Sequence, residues 1–178
     1  MRDLRNLGNK RLLLSDGTEV QFQYTYSPGC RLSHFLDNPD LLAVAKEFSP
    51  DIIISIIGGN DIVNEVNTRE LHDRCREYYR FLRDQFPQAK IIASQVEARF
   101  YSLPNRHHSP LESEYNLRRK SFNTFLKRLK EKDGLLLIAG PGRLDSRSYY
   151  RDEVHLNLLG LQKFFRLLEG VLEFCLVQ

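Results

Sequence analysis

The segment Asp51–Ile62, DIIISIIGGNDI, limits the fold more than any other stretch of the chain. Five isoleucines and Ser55 follow Asp51, and Gly58 and Gly59 then stop the run. A β-branched run this short, closed by a glycine pair, reads as a buried strand rather than a helix. Being apolar at nearly every position, it calls for cover on both faces, as in parallel sheets flanked by helices. Ligands of such sheets bind just past the carboxyl ends of strands. Gly58, Gly59, Asn60 and Asp61 fall there.

The rest of the chain supplies partners for that strand. Met1–Lys10 is basic and reads as irregular, Arg11–Leu14 is a short apolar run, and Ser15-Asp16-Gly17 is a turn signal. Val20–Tyr26 alternates apolar and polar residues as a strand does, and Ser27-Pro28-Gly29-Cys30 breaks it. Leu32–Phe48 predicts one or two helices interrupted at Asn38-Pro39. After the Asp51 strand and a loop, Thr68 is a candidate N-cap. Leu71, Cys75, Tyr78, Leu82 and Phe86 then recur at helical spacing up to Pro87. Lys90–Val96 predicts a second strand and Ala98–Pro110 a loop. Tyr115–Leu129 predicts an amphipathic helix with Arg118, Arg119 and Lys120 on its wet face. Leu135–Ala139 predicts a third strand, Gly140–Arg151 a loop, and Asn157–Cys175 the last helix. Strands alternating with helices predict one α/β domain with a mainly parallel sheet and right-handed crossovers.

Composition adds limits. The 178 residues suffice for one domain with a full core. A net charge of +3 speaks to solubility more than to a nucleic-acid partner. Cys30, Cys75 and Cys175 are odd in number and widely spaced, with no CxxC pair, which fits neither a zinc site nor a disulfide framework. Cys75 and Cys175 fall on apolar helix faces and read as core. His34 and the His107-His108 pair read as solvated, without a third ligand spaced for a metal. No apolar run is long enough to span a membrane, and Met1–Lys10 does not read as a signal peptide, so the default expectation is a cytoplasmic location.

Three loops carry the chemistry: SPGC with Gly29, GGND with Asn60, and RDEVHLN with Asp152 and His155. In these residues the chain resembles the SGNH hydrolases, the GDSL-like esterase and lipase superfamily. GGND is similar to that family's third block, Asp-x-x-His before a leucine-rich helix to its fifth, and SPGC to its glycine-bearing second. The resemblance runs from about Val20 to the end. It implies a three-layer α/β/α sandwich of flavodoxin-like type and a serine esterase acting on a small acyl ester, without metal or other cofactor. It implies His155 as the base, Asp152 as its orienting carboxylate, and Asn60 and Gly29 as oxyanion donors. These roles match what ester hydrolysis needs. The plainer alternatives are that Asn60 caps a turn, that His155 is structural and that Gly29 is a turn glycine. Asp61 reads as a turn or N-cap residue, and Tyr149-Tyr150 as candidates for the pocket mouth.

The sequence departs from the family at the nucleophile. No Gly-Asp-Ser occurs, and residues 1–29 contain only Ser15 and Ser27. Ser15 precedes a tight turn, with too little chain before Val20 for a crossover helix, which needs about a dozen residues or more. Ser27 belongs to the second-block loop. The nucleophile is therefore unknown. The expectation is a single domain over residues 1–178 whose first strand is missing, N-terminally incomplete or catalytically dead. GGNDI with DEVHLNLLGLQKF is also similar to SGNH-like domains carried by animal LINE-type retrotransposons. In that setting Arg118-Arg119-Lys120 would touch RNA, which is the weak support for a nucleic-acid partner.

Overall fold

The computed structural model describes residues 5–14, 16–26, 29–38, 42–64, 67–100, 112–133, 137–139 and 144–177. It has two sheets. Strands β1 (Arg5–Leu13) and β2 (Glu19–Tyr26) form an antiparallel hairpin, while β3 (Ile52–Ser55), β4 (Lys90–Ser94) and β5 (Leu137–Ala139) form a parallel sheet in the order β3-β4-β5. The helices are α1 (Leu32–Asp37), α2 (Ala43–Phe48), α3 (Gly59–Asn64), α4 (Thr68–Gln85), α5 (Glu112–Asp133) and α6 (Leu158–Val177).

The parallel sheet is covered on both faces, and successive side chains show it. Ile53, Ile91 and Ala93 pack into the core made with α1, α3, α4 and α5, among Leu32, Ile62, Leu82, Tyr115 and Phe122. Ile52, Ile54 and Ile92 point the other way, into the core with Phe164, Leu168 and Cys175 of α6. Ile91 and Ile92, which are buried, each contribute about 1.5–3 kcal/mol relative to exposure, and the partly buried Ile52, Ile53 and Ile54 contribute less. The architecture is an α/β/α sandwich. Cys75 and Cys175 are buried and free, as their helix faces predicted.

Several expectations change. Arg5–Lys10 is strand rather than irregular chain, because β1 pairs with β2 from Arg5↔Tyr26 to Leu13↔Glu19. The turn between them falls where Asp16-Gly17 placed it: Gly17 has φ +86, and Asp16 Oδ1 accepts from the Thr18 N–H at 2.9 Å. Ser15 itself lies outside the described residues. Among the described residues β2 pairs with β1 and not with the parallel sheet. Among the described residues the outer edge of β3 has no strand partner. The isoleucine run is strand for only four residues, and Ile56 is 59% exposed. β4, held between its two parallel neighbours, is better buried than β3.

Helix starts shift by a residue or a turn. Asn67, not Thr68, caps α4, its Oδ1 accepting from the Arg69 and Glu70 N–H groups. A short helix α3 replaces the loop expected after β3. Arg119 is not on a wet face: it is 7% exposed and paired with Asp145, Nη1 to Oδ1 at 3.0 Å. Arg118 pairs with Glu114 and reaches the Ile62 carbonyl. His34 Nδ1 accepts the Arg31 N–H at 3.1 Å rather than standing in solvent. His107 and His108 lie outside the described residues. No described helix is long and apolar enough to cross a membrane.

Candidate active site

The chain leaves β3 through Ile56–Gly58 and enters α3 at Gly59. Gly58 sits at φ +112, where L side chains are strained, and a Cβ there would lie 2.7 Å from Phe122 Cε1. This turn presents Asn60 on the first turn of α3. The Asn60 amide is held at both ends. Its Nδ2 donates to the Cys30 carbonyl at 3.1 Å, and its Oδ1 accepts from Arg99 Nη2 at 3.1 Å. One of the two Nδ2 hydrogens is thus committed to Cys30, and a second is available for a ligand.

The neighbouring carboxylate has another task. Asp61 is 3% exposed, and its Oδ1 accepts the Leu32 N–H at 3.0 Å, which caps α1 and ties the Gly29–Arg31 loop to α3. Asp61 is therefore neither a turn residue nor the cap of its own helix. Its Oδ2 is buried with no hydrogen-bond partner among the described residues. Burial pushes its carboxyl up to about 6, against the Leu32 N–H, its own N–H and the charges of Arg31 and Arg74.

A folded-state carboxyl raised above the unfolded value binds its proton more tightly than the unfolded chain does. Its contribution is fully present below the unfolded value near 4 and is lost as pH rises to about 6. Asp61→Asn keeps an acceptor for Leu32 and removes the buried charge. It should raise stability at pH 7 by about 1–3 kcal/mol, the size of a shift of one to two pKa units. Urea unfolding at pH 5 and pH 7 checks this: the variant's advantage should shrink at the lower pH.

The Gly29–Arg31 loop, the Gly58–Asn60 turn and the extended segment after β4 enclose a pocket of ≈ 230 Å³. Its polar lining is Asn60, Gln95, Glu97, Arg99 and Tyr115, with Cys30 and Val154 at its sides. The extended segment carries no ladder of its own, so helix α5 satisfies it. Asn123 both accepts the Val96 N–H at 2.8 Å and donates to the Val96 carbonyl at 2.9 Å. Tyr115 Oη donates to the Glu97 carbonyl, and Asn116 Nδ2 to the Arg99 carbonyl. Burial pushes the Glu97 carboxyl up to about 7, opposed by the charge of Arg119.

The His155 loop docks on this segment through the Phe100 N–H, which donates to the Glu153 carbonyl at 2.8 Å. Asp152 Oδ1 accepts the Val154 and His155 N–H groups at 2.8 and 2.7 Å, a side-chain-closed turn. Its Oδ2 stands 2.9 Å from His155 Nδ1. A carboxylate only accepts, so Nδ1 carries a proton, and the neutral ring in that tautomer has its lone pair on Nε2. The His155 and Val154 N–H groups, with the imidazole, hold the Asp152 carboxyl well below the usual carboxylate range. The His155 side chain is 63% exposed.

Asn60, the Gly29–Cys30 loop and the His155 loop are therefore brought together, although Cys30 and Val154, not Gly29 and His155, line the pocket itself. Gly29 sits beside Cys30 at φ +66, a conformation glycine adopts freely. Tyr149 and Tyr150 are not among the lining residues: Tyr149 Oη meets Lys163 Nζ, and buried Tyr150 stacks edge-on against Phe100. Ser27, like Ser15, lies outside the described residues. Among the described residues no group of three or more His, Cys, Asp or Glu gathers for a metal. Sequence reasoning missed Glu97, Arg99 and Tyr115. The first two lie in an aperiodic stretch and the third looked like an ordinary apolar helix position. Nothing local marked them.

The model of the GDSL-like Lipase/Acylhydrolase family matches residues 25–163. Among solved structures, the chain is similar to a carbohydrate esterase family 3 protein from Talaromyces cellulolyticus. The TM-score is 0.61 at 16% identity, over 83% of this chain and 68% of that one. A GDSL-like lipase from Bacteroides thetaiotaomicron gives 0.59 at 14%, over 83% and 71%. A peptidoglycan O-acetylesterase gives 0.62 at 14%, over 89% and 57%. The chain thus spans roughly 57–71% of the length of these structures. No curated protein matches the chain.

Proposed function

Since the chain belongs to the GDSL-like lipase/acylhydrolase family, we propose that it is an SGNH-type acyl hydrolase domain for carboxylic esters with a short acyl chain. The observation that carries this reading is one pocket walled by Asn60, the Cys30 loop and the His155 loop. Its ≈ 230 Å³ suits a small acyl group better than a long lipid chain. Two of the similar structures, a carbohydrate esterase and a peptidoglycan O-acetylesterase, point the same way.

In this reading His155 Nε2 takes the proton of the attacking hydroxyl and returns it to the leaving alcohol. Asp152 holds the tautomer and stabilises the imidazolium. The free Nδ2 hydrogen of Asn60 and the Gly29 N–H receive the oxyanion. The attacking hydroxyl is not assigned: among the described residues lining the pocket there is no serine.

The lack of a Gly-Asp-Ser motif leaves a second reading, a non-catalytic binding or assembly module, of retrotransposon origin by its sequence resemblance, that keeps the acyl pocket. Hydrolysis of p-nitrophenyl acetate, with fluorophosphonate labelling read by intact mass, separates the two. Turnover with a single labelled serine supports the hydrolase and locates its nucleophile. A well-folded chain with neither turnover nor label supports the module.

A further inference from the structure

We propose that Arg99 is the positioning residue of the Asn60 side chain, setting which end of its amide faces the pocket and sharpening that end as a donor. The inference rests on reading Asn60 as an oxyanion donor. An asparagine amide has a donor end and an acceptor end of nearly the same shape. Turned through 180°, Asn60 would present its oxygen to the developing oxyanion and repel it. Two contacts oppose that turn. Arg99 Nη2 donates to Oδ1 at 3.1 Å, and the Cys30 carbonyl accepts from Nδ2 at 3.1 Å. A flipped amide would set two oxygens against each other at Cys30 and aim an NH₂ at a guanidinium.

The two locks differ. The Cys30 carbonyl only orients the amide. The guanidinium also brings a positive charge to Oδ1, and a charge-assisted hydrogen bond there draws electron density from the amide and polarises the remaining Nδ2–H.

Arg99 is itself set in place from three sides. Its guanidinium carbon lies 5.0 Å from the centroid of the Tyr115 ring. Tyr115 is fully buried. The Arg99 carbonyl accepts from Asn116 Nδ2 at 2.9 Å. Gly59 leaves the room the side chain needs, since a Cβ there would stand 3.1 Å from Nη2. A line of contacts therefore runs from the start of α5, through the segment after β4, to the amide on α3.

Two readouts test this. The first is the side-chain amide pair of Asn60 in ¹⁵N–¹H spectra, assigned by its disappearance in Asn60→Asp. Arg99→Met should move that pair toward the positions of free asparagine amides, and Arg99→Lys, which keeps charge and donor, should leave it close to wild type. The second is p-nitrophenyl acetate hydrolysis. Arg99→Met should lower kcat about 10- to 100-fold with KM within about twofold. That is less than the two to three decades for removing a donor outright, because Cys30 still orients the amide. Arg99→Lys should recover most of kcat.

An unmoved Asn60 pair in folded Arg99→Met overturns the proposal. So does a loss that lies in KM alone, or one that Arg99→Lys fails to rescue. Should Arg99→Met not fold, Arg99→Gln is read by the same criteria. If the wild-type chain turns over no ester, the hydrolase reading fails and the Asn60 spectra still decide the role of Arg99.

Discussion

His155→Ala should lower kcat for p-nitrophenyl acetate by at least about 10³-fold while leaving the melting temperature within about 2 °C of wild type. The kinetic part follows from the base's role: with a catalytic base removed, the residual rate is what orientation and oxyanion binding alone supply. The stability part follows from position. His155 is 63% exposed on its side chain, and the turn that carries it is closed by backbone N–H groups on Asp152 Oδ1, not by the imidazole. Deleting the ring leaves those bonds in place.

Asp152→Asn sharpens the test. Its Oδ1 can still accept from the Val154 and His155 N–H groups, so the loop survives. The amide cannot balance an imidazolium, and it can hold the wrong tautomer by donating to Nδ1. A large loss in His155→Ala with a smaller but clear loss in Asp152→Asn identifies a working base and its orienter. Turnover unchanged in both variants would make the pair only the closure of a turn.

Gly58→Ala should cost about 2–6 kcal/mol of stability, read as a lower midpoint in urea without a change of slope. Two effects add. At φ +112 an L residue is strained, by about 1–3 kcal/mol for such conformations. The new methyl would also stand 2.7 Å from Phe122 Cε1 and 3.2 Å from Val96 Cγ2, within a core where Phe122 is 1% exposed. Overpacking of that kind costs about 1–3 kcal/mol. Gly59→Ala is the internal control. Its Cβ meets mainly the end of the Arg99 side chain at 3.1 Å, which can yield. It should lose well under half as much stability and disturb Arg99 instead. Equal losses in the two variants would mean the glycine pair serves only as a flexible stop to the strand.

Much of the site is legible in the linear order of residues because its pieces are local. GGND behind an isoleucine run and Asp-x-x-His before a leucine-rich helix are each set within a few residues. Asp152 reaches His155 because three residues of turn bring them together. The faces of α4 and α6 follow from spacing, and Cys75 and Cys175 are buried where that spacing puts them. Arg119 and Asp61 mislead for one shared reason. Charge predicts solvent unless a distant partner exists, and those partners are Asp145 and the Leu32 N–H, 26 and 29 residues away.

By itself, the sequence determined the alternation of strands and helices, the turn at Gly58 and the Asp152–His155 spacing, because hydrophobic period and short covalent separation dictate these. Only the tertiary structure decided that β2 pairs with β1 rather than with the parallel sheet. It likewise decided that Asp61 is buried under α1 and that Arg99 reaches Asn60 across 39 residues of chain. Such contacts depend on which surfaces meet after the core has formed. The residues involved carry no periodic mark, so nothing in the linear order announces them.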